Sequence, residues 1–199
     1  MAATLDLRRQ VLDASLELIA QEGLGALSMR EVARRAGVSH QAPYHHFGDR
    51  EGIMVAIADE GFQGLRAAME QAIAASADPV RRLHAIGVAY VTFALRHPSH
   101  FKVMFRSELA PLEKHADASQ RADSCFDLLV KTANDVSMQQ LGRIDEAMPL
   151  AAWSIAHGLA TLMLEGNLRD QFGASRKAKE AGAGMVLAAF TQLLERTEK

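Results

Sequence analysis

Residues Leu27 to Gly37, LSMREVARRAG, carry both ends of a helix within a few positions. Ser28 and Glu31 have the spacing of a capping box, in which each side chain accepts a backbone N–H at the other's position. Leu27 before the cap and Val32 after it are spaced as a hydrophobic staple. Gly37 is suited to the left-handed conformation that closes a helix. A short helix over Ser28–Ala36 is therefore written at both ends, and the flanking elements have to be read around it.

Upstream, Val11, Ala14, Ser15, Leu18 and Ile19 recur at helical spacing between Leu7 and Glu22, and Gly23 and Gly25 end that element. Downstream lies GVSHQAPYHHFGDREG, where Ser39 is expected to cap a third helix. Val38 and Pro43 then take the two staple positions, and the proline gives up one hydrogen bond, to the Ser39 carbonyl. In a helix interior that costs about 3 kcal/mol, and less in the first turn, where the ladder has barely begun. Two amphipathic helices joined by a tight glycine-containing turn, behind a support helix, make a helix-turn-helix. Asp49 is expected to cap a long fourth helix, in which Gly52, Gly61 and Gly64 are places to bend. Asp78-Pro79 starts a fifth helix that runs to about His97, and Pro98 restarts the chain. SELAPLEKHAD reads as a connection, and further helices are expected over about Ala118–Gln140, Glu146–Glu165 and Ser175–Arg196. There is no internal repeat and no low-complexity tract.

Alanine and leucine dominate and strand-favouring residues are sparse, so the expected fold class is all-α. A net charge of −2 argues against a generic polyanion binder, though not against a local basic face. The single cysteine, Cys125, excludes a disulfide framework and a multi-cysteine zinc site, and makes a reducing cytoplasm the expected compartment. MAATLDLRRQ has no signal-peptide core. The apolar run Pro149–Glu165 is interrupted by Ser154, His157 and Thr161, so a helix buried among other helices is expected and no membrane partner.

The segment LSMREVARRAGVSHQAPYHHFGDREGI resembles the DNA-binding region of TetR-family transcriptional regulators along its whole length. It has the hydroxyl cap, Ala-Gly-Val, Tyr-x-x-Phe, a small linker and a basic residue opening the fourth helix. Pro43 stands where many relatives carry leucine, and Gly48 where many carry lysine. HPSHFKVMF and AAWSIAHGLATL resemble the C-terminal domain variety named for its Trp…His-Gly motif. The resemblance implies an N-terminal three-helix helix-turn-helix domain, residues 1–50, joined by a long helix to a larger helical domain, residues 51–199, for ligand binding and dimerisation. It implies a homodimer that binds a double-stranded DNA operator, is released by a small molecule, and needs no cofactor.

With Pro43 and Phe47 facing inward, the helical rotation turns Gln41, Ala42 and His45 outward and sets Tyr44 on the flank. Gln41 suits an adenine edge and Ala42 a thymine methyl. His40, His45 and His46 donate hydrogen bonds and gain charge when protonated. By analogy with the family, Arg30 reaches a guanine, while Ser28, Ser39 and Arg50 hold phosphates at helix starts. In residues 1–50, Arg8, Arg9, Arg30, Arg34, Arg35 and Arg50 balance Asp6, Asp13, Glu17, Glu22, Glu31 and Asp49. Affinity must then come from placement, with a modest salt dependence.

In the C-terminal part, Trp153 and His157 share one helix face. Either they form the polar-tipped wall of a ligand site, or His157 is a satisfied core histidine. Candidate pocket residues are Phe93, Met104, Phe105, Phe126, Leu129, Trp153 and His157, for an effector that is largely apolar. The candidate dimer surface comprises Ala152 and Ala156 with the stripe Met185, Ala189, Phe190 and Leu193. His97 and His100 lack a third ligand and are read as exposed or capping residues, not a metal pair, and Cys125 as a small buried residue. The rival class is a small helical enzyme or ligand carrier whose N-terminal helices mediate protein contacts, but no nucleophile–base pair or phosphate loop supports it.

Overall fold

The computed structural model describes residues 2–195, with side chains from residue 7 onward. Among them there are helices and turns and no strand. In chain order these are α1 (Ala2–Glu22), α2 (Met29–Ala36), α3 (Ala42–Phe47), α4 (Arg50–Ile73), α5 (Pro79–Arg96), α6 (Pro98–Met104), α7 (Ala116–Leu141), α8 (Ala147–Glu165), α9 (Arg169–Phe172) and α10 (Arg176–Glu195). The four-residue α9 has no counterpart in the sequence reading, and Arg196, expected to end the last helix, lies outside the described residues. The chain packs as two compact units, one of residues up to Phe62 together with His97–Ala122, the other of Gln63–Arg96 and residues from Asp123 on.

In the first unit, α1 buries Val11, Leu12, Leu18 and Ile19 against Leu27 and Val32 of the α2 staple and Ile53, Met54 and Ile57 of α4. Ser28 caps α2 by accepting the Glu31 N–H at 3.3 Å. The reciprocal half of the expected box is replaced, because the Glu31 carboxylate takes Arg34 at 2.5 and 2.9 Å instead. Gly37 adopts φ 66° and closes α2 with a Schellman pair, Val38 N–H to Ala33 C=O at 3.1 Å and Gly37 N–H to Arg34 C=O at 3.3 Å. The third helix differs from expectation. Ser39 does not cap it; its carbonyl accepts the Ala42 N–H in a turn at 3.0 Å, and the helix begins only at Ala42. That shift places Pro43 at the second helical position, where no intrahelical donor is needed, so the proline removes no helix bond.

The α3–α4 junction is the tightest local feature. Asp49 N–H donates to the Phe47 carbonyl at 2.9 Å around Gly48, whose φ 76° and ψ −64° define a γ-turn that a side chain would strain. Asp49 then caps α4 by accepting the Gly52 N–H at 2.9 Å. A Cβ at position 52 would lie 1.9 Å from the Phe47 carbonyl oxygen. Gly52 and Gly61 thus admit close neighbours, the second facing Met104 of α6, in a helix that runs unbroken from Arg50 to Ile73. The α6 helix joins this unit through Ser99 Oγ, which donates to the Leu16 carbonyl at 3.1 Å, and through His100, which bonds Glu60 of α4 at 3.0 Å. Glu60 also receives Arg9 of α1 at 2.5 Å. Burial alone raises the Glu60 pKa, but the Arg9 and His100 bonds outweigh it and leave the carboxyl below its ordinary value.

The second unit is built around α5, whose Leu83, Ile86, Tyr90, Val91 and Ala94 pack on α8 and α10. Across from them lie Ala156, Leu159, Ala160, Met163, Ala183 and Leu187. Asp78 caps α5 by accepting the Arg81 N–H at 2.8 Å. Helix α8 is long and apolar enough to cross a membrane by length and composition, with a mean hydropathy of 1.4. About a third of it is buried, so it is not enclosed on all sides as expected: one face meets α5 and α10, and the other carries exposed Leu150 and Leu162.

Replacing a helical glycine with alanine ordinarily stabilises by about 1 kcal/mol. Gly52→Ala is expected to do the opposite, lowering stability by about 1–3 kcal/mol, because its methyl meets a backbone carbonyl that cannot rotate away. Urea denaturation of the two proteins checks the sign, and a gain in stability would refute the account of this junction.

Candidate nucleic-acid interface

The turn between α2 and α3 is held by the Schellman closure at Gly37 and by Val38, which packs on the core. It brings the N-terminal end of α2 and the first turns of α3 into one unit. Arg30, Ser28, Ser39, His40, Gln41, Tyr44 and His45 are exposed, with Tyr44 at 42%, and His46 is partly buried against Phe47. The His40 ring lies 5.8 Å from that of Tyr44, which steadies the phenol at the surface. Two of the expected contacts do not fit. Ala42 is only 8% exposed, because a helix that starts at Ala42 turns it toward the core together with Pro43. Arg50 points inward as well: Nε donates to the Leu27 carbonyl at 2.9 Å and Nη2 to the Leu24 carbonyl at 3.0 Å. It satisfies carbonyls of the α1–α2 connection, so Nε and Nη2 are engaged within the chain instead of facing a phosphate.

Three other cations of this segment have similar commitments. Arg34 pairs with Glu31, Arg35 bonds Glu22 at 2.6 Å and Gln21 at 2.9 Å, and Arg9 joins Asp13 and Glu60. Arg30 has no ion pair among the described residues and keeps its fork of donors at the surface. That fork is the group suited to a guanine edge.

The residues nominated for a ligand site divide. Met104 and Phe105 belong to the first unit, where Phe105 meets Phe62 and Phe101 edge-on at 5.5 and 5.3 Å. Phe126, Leu129, Trp153 and His157 are in the second, as is Phe93, which packs beside Gly64. There Trp153 meets Phe126 at 5.7 Å and His157 at 6.1 Å, both edge-on. Tyr90, absent from the nominated set, completes the row: its hydroxyl lies 2.8 Å from His157 Nδ1. The two residues are 67 positions apart on different helices, and no local spacing in the sequence links them. Burial raises the Tyr90 phenol above its ordinary range and holds the His157 imidazole below its own, so the pair is neutral near pH 7. Cys125 is buried and its thiol pushed up to about 11 by that burial, which makes it an inert thiol. Neutral polar tips in an aromatic row suit a largely apolar ligand with one hydrogen-bonding group. Among the described residues no group of three or more His, Cys, Asp or Glu is placed to hold a metal; His97 and His100 meet edge-on at 5.7 Å, and His100 is held by Glu60.

Of the nominated dimer surface, Ala152 and Ala156 are already buried within the chain and leave little surface for a second copy. Met185 and Leu193 are each 64% exposed, Ala189 is exposed and Phe190 partly so. With Leu150 and Leu162 on α8 they leave apolar area uncovered on both helices.

Residues 11–57 match the family described as bacterial regulatory proteins, tetR family, and residues 83–189 match the tetracyclin repressor-like C-terminal domain. The chain is 40% identical over 83 residues to the HTH-type transcriptional regulator BetI of Paraburkholderia phymatum, covering 41% of this chain and 42% of that protein. It thus spans about two fifths of the length of the curated relatives it matches. A protein of unknown function from Rhodococcus sp. RHA1 has a similar structure, with 32% identity, a TM-score of 0.70 and coverage of 91% of this chain and 93% of that one. The TetR family transcriptional regulator PfmR from Thermus thermophilus is 25% identical with a TM-score of 0.66, over 95% and 98% of the two chains.

Two measurements follow from this geometry. Arg50→Ala is expected to lower stability by about 1–3 kcal/mol, since it leaves two part-buried carbonyls without a charged donor, while Arg30→Ala changes it by no more than about 0.5 kcal/mol. Equal denaturation midpoints for the two variants would contradict the inward role of Arg50. For His157 the folded state holds the pKa below the unfolded value, so its stabilising contribution is present above about pH 6.5 and declines as pH falls through the folded pKa. The melting temperature of the wild type should therefore drop more between about pH 7.5 and about pH 5.5 than that of His157→Gln.

Proposed function

Because this chain belongs to the TetR family of bacterial transcriptional regulators, we propose that it is a repressor that binds a palindromic operator as a homodimer and leaves it when a largely apolar small molecule binds. The observation that carries this reading is the exposed polar set on two helices joined by a rigid turn: Arg30 and Ser28 from α2, Ser39, Gln41, Tyr44 and His45 on or beside α3. A helix of about 10–12 Å diameter fills a major groove about 12 Å wide. In that groove Gln41 meets an adenine edge, Arg30 the O6 and N7 of guanine, and Tyr44, Ser28 and Ser39 the backbone. Residues 1–50 act as the reading head and residues 51–199 as the part that senses ligand and pairs two copies.

The pairing surface in this proposal is the uncovered apolar face of α8 and α10, Leu150 and Leu162 with Met185, Ala189 and Leu193. Two helices from each copy make a four-helix bundle, and two reading heads then meet half-sites about 34–36 Å apart or a multiple of it. The effector site is the row Phe126, Trp153, His157 and Tyr90, with its polar tips as the specificity group. Release is a population shift: ligand favours a conformer that holds the two heads at a separation the operator cannot match. Helix α4 supplies residues to both units, and α6 is bonded to α1 through Leu16 and to α4 through Glu60, so movement of either helix displaces α1 and α3. Such a protein works beside the chromosome, in the cytoplasm.

A gel shift on the DNA adjoining its gene tests the reading directly. Arg30→Ala and Gln41→Ala should each weaken binding to the preferred site by about 1–3 kcal/mol and relax the base preference at one position per half-site. A compound that binds the purified protein yet leaves its operator affinity unchanged overturns the regulatory half of the proposal.

A further inference from the structure

Six arginines are the only Lys or Arg side chains in residues 1–50, and their partners differ sharply. Arg9, Arg34 and Arg35 are paired with carboxylates, and Arg50 is bonded to two backbone carbonyls. Two have neither kind of partner among the described residues. One is Arg30, already assigned to base reading. The other is Arg8 on α1, an exposed residue whose guanidinium carbon lies 5.0 Å from the centre of the Phe47 ring. Phe47 is the last residue of α3 and packs on the core through its other contacts, so the ring is a fixed platform and not a loose surface group. A cation over an aromatic face is attracted by the ring quadrupole but keeps its N–H donors at the ring edge available.

We propose that Arg8 is a DNA-backbone contact of the reading head, held by Phe47 so that its guanidinium grips a phosphate on the strand that flanks the end of α3. This rests on the DNA-binding reading above. The physical argument is one of position. Gln41, the residue beside α3 assigned to a base edge, lies just before its first turn, so base reading is concentrated toward its start. A six-residue helix is about 9 Å long, and a group beside its last ring is at the edge of the groove, where phosphates lie. Arg50, the basic residue expected to hold that strand, is turned inward, and Asp49 nearby is engaged with the Gly52 N–H. A formally neutral head therefore retains a cation on the flank where the backbone passes. The α1 helix gains a role beyond support, because its docking on α3 decides whether this cation reaches the DNA.

The test uses the full-length protein and a duplex of about 30 base pairs recovered by it from a random-sequence pool, with affinity read by fluorescence anisotropy over a salt series. Each phosphate contact adds about 0.9 to the slope of log K against log salt. Arg8→Gln should reduce that slope by about 0.9 per protomer and weaken binding roughly 10- to 100-fold per dimer near 0.1 M salt, with the base preference unchanged. Arg8→Lys should retain the slope, and Arg34→Gln, which removes an internally paired cation, should leave it near wild type. An unchanged slope in Arg8→Gln overturns the assignment, as does an equal loss in Arg34→Gln. If Arg8→Gln melts early, Arg8→Lys decides instead: a low slope in a lysine variant that melts like wild type refutes the contact. Recovery of no duplex at all refutes the DNA-binding reading itself, an outcome distinct from a bound duplex indifferent to Arg8.

Discussion

The reading head depends on the contact between the Phe47 carbonyl and the first turn of α4. That carbonyl lies where any side chain at position 52 would be, and it also accepts the Asp49 N–H through the γ-turn at Gly48. The exit direction of α3 is determined by these backbone contacts together with the Asp49 carboxylate that caps α4. Arg50 extends the same joint in the other direction, carrying the start of α4 onto the carbonyls of Leu24 and Leu27. Three elements therefore meet at one short turn: the α1–α2 connection, α3 and α4. Such a joint transmits displacement because its contacts are close-packed and Arg50, its one long side chain, is held at both Nε and Nη2.

The charge arrangement follows from that joint. Pairing most arginines internally gives the head its rigidity and removes the general attraction to polyanions that a free basic surface would bring. The cations left at the surface, Arg30 and Arg8, stand on different helices, and both positions are set by the core beneath them. A neutral head with few available cations favours recognition by geometry over capture by charge. In the second unit the polar groups are handled differently: Tyr90 and His157 satisfy each other while burial keeps both neutral. Neutral, mutually bonded groups are compatible with an apolar surrounding, whereas an unpaired charge there would not be.

Much of the local architecture was legible in the sequence because its causes are local. Caps at Ser28, Asp49 and Asp78, the glycine closure at Gly37 and the prolines at 79 and 98 all act within one helical turn, and helices begin or end within a residue or two of them. The exposure of Gln41 and His45, with Tyr44 on the flank, followed from helical rotation in the same way, whereas Arg30 came from the family resemblance. Reading failed at Ser39, where a good capping residue competes with a turn that delays the helix, and Ala42 was mis-turned as a consequence. A single register shift of that kind reverses the face of a residue without changing the element's existence.

By itself, then, the order of residues determined that this protein is helical, where its helices start and stop, and that it carries a helix-turn-helix near its N-terminus. Hydrogen bonds within four residues and the periodicity of apolar side chains suffice for that. Only the tertiary structure decided what each charged or polar group is for. It sent Arg50 to the carbonyls of Leu24 and Leu27, and it laid Arg8 over Phe47. It brought Tyr90 to His157 across 67 residues and gathered α6 into the same unit as α1. Those partnerships are set by which helix faces meet when apolar surface is buried, a property of the whole chain that no local spacing encodes.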